Sequence, residues 1–235
     1  MKFTVNIYLA LTIVIIALTG CGHEGDAYFP LATGKYWRYQ MTYQTMDGKF
    51  KGFYAVENLR PIMRDDQKVY VRRLLDGSIN YLKKTGDGIL LLGREKTTDL
   101  QTSEKELDRY ILKFPLTTGT QWQDFQKTKV LIKTGPPVKT EFHIVGKIPV
   151  NTSIDSLTER VSVPAGTFDN CMRVTTSGDA FINAGNYVGM TLVTIKEINW
   201  YAPGVGLVKS KRVETTESKA LDRGEIDLEL EDYRG

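Results

Sequence analysis

Residues with readily reactive side chains are scarce in this chain, which has two cysteines and two histidines among its 235 residues. His143 is the one histidine within the predicted folded part, and no Gly-x-Ser-x-Gly motif occurs anywhere in the sequence. Nucleophilic catalysis normally needs such a base, so we predict no catalytic, metal-binding or cofactor-binding residue and no cofactor. A carboxylate-dependent hydrolase stays an alternative, because paired carboxylates need no local motif.

Cys21 ends a segment that is typical of protein export. Lys2 precedes an almost wholly apolar stretch at 5–18, and the tetrapeptide Leu18–Cys21 resembles the bacterial lipobox. This resemblance implies that Cys21 is diacylated, with palmitate as the expected kind of chain, and that the chain is cleaved before it. The protein would then be attached to a membrane through its lipid. A plain transmembrane anchor is the alternative, because residues 3–20 approach the ~20 needed to span a bilayer.

Lipidation of Cys21 also decides the role of Cys171. An acylated Cys21 cannot form a disulfide, so Cys171 becomes a lone thiol in an oxidising compartment. We predict that it is a small buried hydrophobic residue without redox or nucleophilic function.

Composition excludes one class of partner. The chain carries 31 basic and 28 acidic residues, for a formal net charge of +3, and no cluster of lysine and arginine is long enough to follow a phosphate backbone. We therefore predict no binding of nucleic acid. A hydrophobic content of 41% and a charged content of 25% are ordinary for a folded domain.

A nine-residue pattern occurs twice. Phe29-Pro-Leu-Ala-Thr-Gly-Lys-Tyr-Trp37 and Phe114-Pro-Leu-Thr-Thr-Gly-Thr-Gln-Trp122 share Phe, Pro, Leu, Thr, Gly and Trp at the same offsets. Proline ends the preceding segment, glycine makes a turn, and tryptophan is the first large side chain of the strand that follows. We predict that both copies start a strand in the same way, and that Trp37 and Trp122 occupy equivalent buried positions.

Aromatic residues alternate with polar ones directly after the first copy. Trp37, Tyr39 and Tyr43 share one face of a strand with Met41, since the side-chain period of a strand is two. These three aromatic residues are our candidates for a binding surface on the concave face of a sheet. The alternative is that they form only the packed inner face of that sheet.

Turn signals follow one another at short intervals and indicate an antiparallel meander. Asp47-Gly48, Asp76-Gly77 and Asp87-Gly88 separate short apolar runs, and Pro164-Ala-Gly166 separates two longer ones. The segment 97–112 fits either a short helix or a strand. We predict a mainly β fold, a strongly curved antiparallel sheet in the form of a half-barrel or open barrel, with at most one or two short helices.

Near the C-terminus, acidic and apolar residues alternate from Glu225 to Glu231. The acidic side chains should face water, opposite the basic residues of the preceding strand, which are Lys209, Lys211 and Arg212. Opposed charges on neighbouring strands contribute only ~0.2–1 kcal/mol per pair, yet they favour one pairing over another.

The sequence motifs together resemble an uncharacterised family of bacterial exported lipoproteins, labelled TapB-like. The stretches that carry the resemblance are both Phe-Pro-Leu copies, Val163-Pro-Ala-Gly-Thr-Phe168 and Tyr201-Ala-Pro-Gly-Val-Gly-Leu-Val208. The family is similar in architecture to the half-barrels of periplasmic lipoprotein carriers. The resemblance implies no catalytic or ligand-binding residues.

These observations predict a signal peptide at 1–20, a tether at 21–27 and a single β domain at 28–235. The expected function is that of a non-enzymatic lipoprotein of the cell envelope, facing the periplasm from the outer membrane. It would bind a hydrophobic molecule, such as a lipid, or an envelope protein on the concave face. A purely structural envelope component is an alternative, and a filled interior instead of a cavity would favour it.

Overall fold

The structure is a computed structural model that describes residues 27–96, 104–135, 140–144, 146–185 and 188–235. The predicted signal peptide, most of the tether and Cys21 lie outside these residues. No helix in the described part of the chain is both long and apolar enough to cross a membrane.

Nearly all regular structure in the described residues is strand, with one 3-10 turn at Lys219–Leu221. The strands are β1 (Tyr36–Thr45), β2 (Gly48–Asn58), β3 (Ile62–Arg64), β4 (Gln67–Leu74), β5 (Ile79–Thr85), β6 (Gly88–Glu95), β7 (Glu104–Lys113), β8 (Gln121–Gln126), β9 (Ile132–Gly135), β10 (Thr140–His143), β11 (Ile148–Val163), β12 (Gly166–Asn183), β13 (Met190–Ala202), β14 (Gly206–Thr216) and β15 (Arg223–Arg234). Residues 104–112 of the ambiguous segment are thus strand, and 97–103 lie outside the described part.

One large antiparallel sheet contains almost all of these strands. Its order is β7-β6-β5-β4-β2-β1-β15-β14-β13-β12-β11-β8, with β3 attached to β4, while β9 and β10 form a separate pair. Each half is a meander of consecutive strands, and the pairing of β1 with β15 joins the first strand to the last. The predicted mainly β fold and curved antiparallel sheet are confirmed.

The sheet curves until its two edge strands face each other. Arg109 of β7 and Asp124 of β8 approach to 4.0 Å across this gap, which we call the seam. The result is a barrel-shaped sheet, closed except at the seam. Closing a sheet in this way covers edges that would otherwise present unpaired backbone groups.

The start of β1 follows its sequence pattern. Trp37 and Tyr39 are each 3% exposed, whereas Arg38 and Gln40, which alternate with them, face solvent. The strand pairs with β2 and β15, so its inner face points into the space that the curved sheet encloses.

The two Phe-Pro-Leu copies have the same backbone hydrogen bonds. Gly34 N donates to Asn58 O at 2.9 Å, and Asn58 N donates to the carbonyl of the residue after Gly34. In the second copy, Gly119 N donates to Ile154 O at 2.8 Å, and Ile154 N donates back in the same manner. Both glycines have positive φ, +83° and +92°, which side chains with a Cβ adopt at a cost. The copies differ at proline, because only the second has a cis Phe-Pro bond.

The charges on β14 and β15 pair largely as the sequence predicts. Lys209 Nζ lies 2.7 Å from Glu229, and Lys211 Nζ lies 2.8 Å from Glu225, on the outer face. The prediction is wrong for Arg212, which is 1% exposed and points inward. Side chains alternate along a strand, so Arg212 cannot share a face with Lys209 and Lys211.

Candidate functional site

A cavity of about 410 Å³ lies inside the barrel-shaped sheet. Strands from both halves of the sheet form its wall, and most of this wall consists of aromatic and aliphatic side chains. The apolar lining consists mainly of Phe29, Trp37, Tyr39, Met41, Tyr54, Val56, Leu74, Leu91, Ile111, Tyr201, Leu207, Ile226 and Leu228. These residues lie on the inner face of the sheet, toward which every second side chain of each strand points.

Two of the three candidate aromatic residues lie on this wall. Trp37 and Tyr39 line the cavity, together with Met41 from the same strand face. Tyr43 does not: it is half-buried near the end of β1 and stacks on Phe50, with ring centroids 5.0 Å apart. Whether these residues contact a ligand stays a prediction.

The polar atoms of both lining aromatics are already occupied. Trp37 Nε1 donates to Val205 O at 2.6 Å, and the Tyr39 hydroxyl donates to Leu207 O at 3.0 Å. These bonds fix the two rings against the turn and the beginning of β14. The rings therefore offer their faces to the cavity as rigid apolar surface.

Arg72 lies beside this aromatic wall. Its Nε donates to Asn58 Oδ1 at 2.8 Å, its Nη2 donates to Pro30 O at 3.1 Å, and its guanidinium stacks over the rings of Phe29 and Trp37. Burial lowers the pKa of Arg72 to about 10, partly offset by nearby tyrosines, so it stays cationic at neutral pH. Within the described residues, no carboxylate forms an ion pair with it.

Another part of the wall is charged. Arg94, Arg109, Lys129 and Glu197 line it, with Lys129 Nζ 3.8 Å from Glu197 Oε2. A second cavity of about 310 Å³ adjoins this part and includes Asp124 at the seam. Arg94, Arg109 and Lys129 border both cavities.

A buried ion network holds the chain segment that carries Lys129. Arg212 Nε lies 2.6 Å from Glu214 Oε1, and the two side chains are 1% and 0% exposed. The Glu214 carboxylate accepts hydrogen bonds of 2.9–3.2 Å from the backbone N–H groups of residues 129–131. A carboxylate with three backbone donors and a guanidinium is fully compensated, as a buried charge must be.

Gly224 of β15 allows this segment to lie close to the sheet. A Cβ at that position would stand 2.2 Å from Val130 O, so any larger residue would push the segment away. Arg212 also donates to Lys127 O at 2.9 Å and contacts Glu197, which links the segment to β13. The network therefore positions Lys129 at the cavity.

Sequence reasoning missed this network and the charged wall. Arg212, Glu214 and Glu197 stand on β14 and β13 among residues of similar type that face water, and only strand parity separates the two sets. The parity signal was present, because Arg212 and Glu214 continue the pattern in which every second residue is buried, after Val208 and Ser210. Arg94 and Arg109 carry no such signal, since their meeting depends on closure of the sheet.

Few side chains of the described residues are suited to covalent catalysis. Cys171 is fully buried, and burial together with Asp169 and Glu159 raises the pKa of its thiol to about 11. It is therefore protonated at neutral pH and a poor nucleophile. No group of three histidine, cysteine or acidic residues capable of holding a metal ion is found in the described part.

The comparisons with known proteins concern family and fold. Residues 137–219 match the family model described as DUF3108-like. One similar solved structure is named as an exported protein with a YmcC-like fold, from Bacteroides fragilis. It is 14% identical, the match covers 89% of this chain and 99% of that one, and the TM-score is 0.39.

A second similar structure is named as a lipoprotein from Parabacteroides distasonis. It is 16% identical, the match covers 88% of this chain and 98% of the other, and the TM-score is 0.37. No curated protein matches the chain significantly. Over residues 137–219, from the region before β10 to the start of the 3-10 turn, the chain is thus similar to the DUF3108-like family. The description of this family names no activity, as the resemblance to an uncharacterised family predicts.

Proposed function

We propose that the protein is a non-enzymatic, lipid-anchored protein of the bacterial cell envelope that holds a hydrophobic molecule inside its barrel-shaped sheet. The observation that carries the proposal is the interior cavity of about 410 Å³ with its aromatic and aliphatic wall. Small-molecule sites have volumes of roughly 300–1,000 Å³ and are lined mainly by apolar and aromatic side chains. A purely structural component has no use for this space, because a filled interior gains packing energy that a cavity forgoes.

The proposed location follows from the N-terminal segment. Lipidation at Cys21, which lies outside the described residues, would attach the domain to a membrane through a tether of a few residues. An outer-membrane position facing the periplasm fits a domain whose ligand is hydrophobic and close to a bilayer. A protein partner on the outer surface would leave the cavity without a role, so we favour a small molecule.

Glu197 does not fit the role of the protonated group in a carboxylate-dependent hydrolase. A carboxylate pair that cleaves glycosidic bonds needs one group that is protonated and donates. Burial by itself would raise the pKa of Glu197, but Lys129 and Arg212 lower it to about 2. Glu197 is therefore ionised at neutral pH and acts as a counter-ion to these cations rather than as an acid.

Mass spectrometry of the purified protein tests the proposal directly. We expect a hydrophobic molecule to co-purify in a stoichiometric amount and to be released on unfolding in urea. A neutral fluorescent probe, N-phenyl-1-naphthylamine, should bind the delipidated protein with a single affinity.

Leu228→Trp should weaken binding of this probe strongly, because the larger side chain fills space inside the cavity that Leu228 lines. Leu75→Trp is the matched control, since Leu75 is 48% exposed and lies outside the cavity lining. The proposal is wrong if no molecule co-purifies and both variants bind the probe as the wild type does.

A further inference from the structure

The charged wall of the cavity has an excess of cations. Arg94, Arg109 and Lys129 border both the main cavity and the adjoining one, and Lys147 adds a positive charge to the latter. The described carboxylates on these two linings are Glu197 and Asp124. The wall is thus cationic inside a molecule whose net charge is only +3.

Neighbouring carboxylates neutralise these cations incompletely. The nearest distances are 3.5 Å from Arg94 to Asp76, 4.0 Å from Arg109 to Asp124 and 3.8 Å from Lys129 to Glu197. Each separation exceeds the 2.7–2.9 Å of a good charge-assisted hydrogen bond.

The carboxylates are also shared with other donors. Asp124 accepts from Phe125 N at 2.7 Å, Asp76 accepts from Ser78 N at 3.0 Å, and Glu197 is contacted by Arg212. Their negative charge is thus only partly directed at the cationic wall.

The pKa of Lys129 reflects this surplus of positive charge. Glu197 raises the pKa of its ammonium, but partial desolvation and the nearby Arg212 and Arg109 lower it below the ordinary value overall. More than half of the Lys129 side-chain surface is nevertheless accessible, and the residue lines both cavities. A mobile anion could therefore reach it, and would relieve the repulsion among the three cations.

Two polar atoms of the same wall lack partners within the described residues. Asn80 Oδ1 and Arg94 Nε are buried and accept or donate no hydrogen bond there. Buried polar groups are nearly always paired, and an unpaired group needs an explanation such as a bound molecule that reorders the side chains. Both residues border the two cavities, where the cationic wall lies.

We propose that the molecule bound inside the sheet is an anionic amphiphile, which makes the proposed function more specific and rests on it. Its carboxylate or phosphate group contacts Arg94, Arg109 and Lys129 at the seam. Its apolar chain extends along the wall formed by Trp37, Tyr39 and their neighbours. Guanidinium groups suit both head groups, since they bind oxyanions through paired N–H donors.

Three probes with the same chain and different head groups test the inference: dodecanoate, dodecyl phosphate and dodecanol, measured by calorimetry on the delipidated protein at neutral pH. We expect both anions to bind at least about tenfold more tightly than the alcohol, as charge-assisted hydrogen bonds imply. The tighter of the two anions identifies the head group as carboxylate or phosphate.

Arg109→Gln and Lys129→Gln should each weaken binding of the anions about tenfold and leave dodecanol unchanged. Lys196→Gln is the matched control, because Lys196 is exposed on the outer face of β13. The two cavity variants provide independent tests if one of them folds poorly, which melting curves would reveal.

Equal affinity for all three probes, unaffected by either variant, would overturn the anionic head group and leave the proposed function standing. If none of the probes binds, the proposed function fails together with this inference.

Discussion

Glu197 lies between two cations inside the sheet, with Lys129 on one side and Arg212 on the other. Its Oε1 also accepts a hydrogen bond from Asn199 Nδ2 at 2.9 Å. Burial opposes ionisation, yet these partners outweigh it and lower the pKa of the carboxyl from 4.5 to about 2. Arg212 has a second carboxylate in Glu214, so Glu197 and Arg212 each have two partners of opposite charge, whereas Lys129 has Glu197 alone among the described ion pairs.

This depressed pKa makes part of the stability dependent on pH. The unfolded chain protonates Glu197 near pH 4.5 and the folded protein near pH 2, so the contribution is complete above about pH 4.5 and lost as the pH falls toward about 2. We expect Glu197→Gln to reduce the free energy of unfolding at pH 7, and the difference from the wild type to shrink between pH 4.5 and 2. Urea titrations at several pH values measure it.

Glu225→Gln provides a comparison on the protein surface. The pKa of Glu225 is also lowered to about 2, by hydrogen bonds from Lys211 and Arg223, but water screens this exterior group. Its substitution should cost less at pH 7 than that of Glu197. If the loss of unfolding free energy caused by Glu197→Gln stays constant from pH 7 to pH 2, the charge of Glu197 in the ion network is not the source of that loss.

Two strands of the sheet begin with the same local arrangement. Just before β1 and β8, a glycine of positive φ donates to the neighbouring strand, and a tryptophan three residues later turns inward. Trp37 and Trp122 are 3% and 7% exposed. Trp37 also donates to Val205 O, for which the structure shows no counterpart at Trp122 in the described residues.

Truncation to alanine should therefore destabilise the protein strongly at both positions. A buried tryptophan typically contributes ~3–5 kcal/mol, and Trp37→Ala should cost ~1 kcal/mol more than Trp122→Ala because it leaves a carbonyl without its donor. Unfolding in urea measures both losses. Trp200→Ala is the control, since Trp200 is half-buried and should lose less. A large loss at one repeat position and none at the other would contradict their equivalence.

At the scale of the molecule, the sheet separates two environments. Its outer face carries partly exposed ion pairs such as Lys209–Glu229, while its interior holds an apolar wall and a cationic one. This arrangement depends on closure, because β7 and β8 bring Arg109 and Asp124 together only when the sheet curves fully. A membrane anchor would hold this interior near lipid.

Cys21→Ser should release the protein from membranes, because two acyl chains give stable attachment and none remains in the variant. Partitioning of the expressed protein between detergent and aqueous phases measures the change, and Cys171→Ser is the matched control that should stay in the detergent phase. If Cys21→Ser still partitions as an integral membrane protein, the N-terminal segment is a transmembrane helix.

Much of the fold could be predicted from local pattern. Three kinds of pattern depend only on neighbours in sequence: the alternation from Trp37 to Tyr43, the Asp-Gly turns and the Pro164-Ala-Gly166 turn. The strands of the structure lie where these patterns predict strands. The site could be predicted only in part. Trp37 and Tyr39 line the cavity, whereas Tyr43 stacks on Phe50 at the end of the strand.

The sequence by itself determined the strand periodicity, the repeated strand starts and the resemblance to an uncharacterised family, because these properties reside in residues close together along the chain. Tertiary structure alone decided that a cavity exists and that one wall of it is cationic. Arg94, Arg109, Lys129 and Glu197 come from β6, β7, the segment after β8, and β13. No local pattern links them, and only the curvature and register of the closed sheet place their charges around one space.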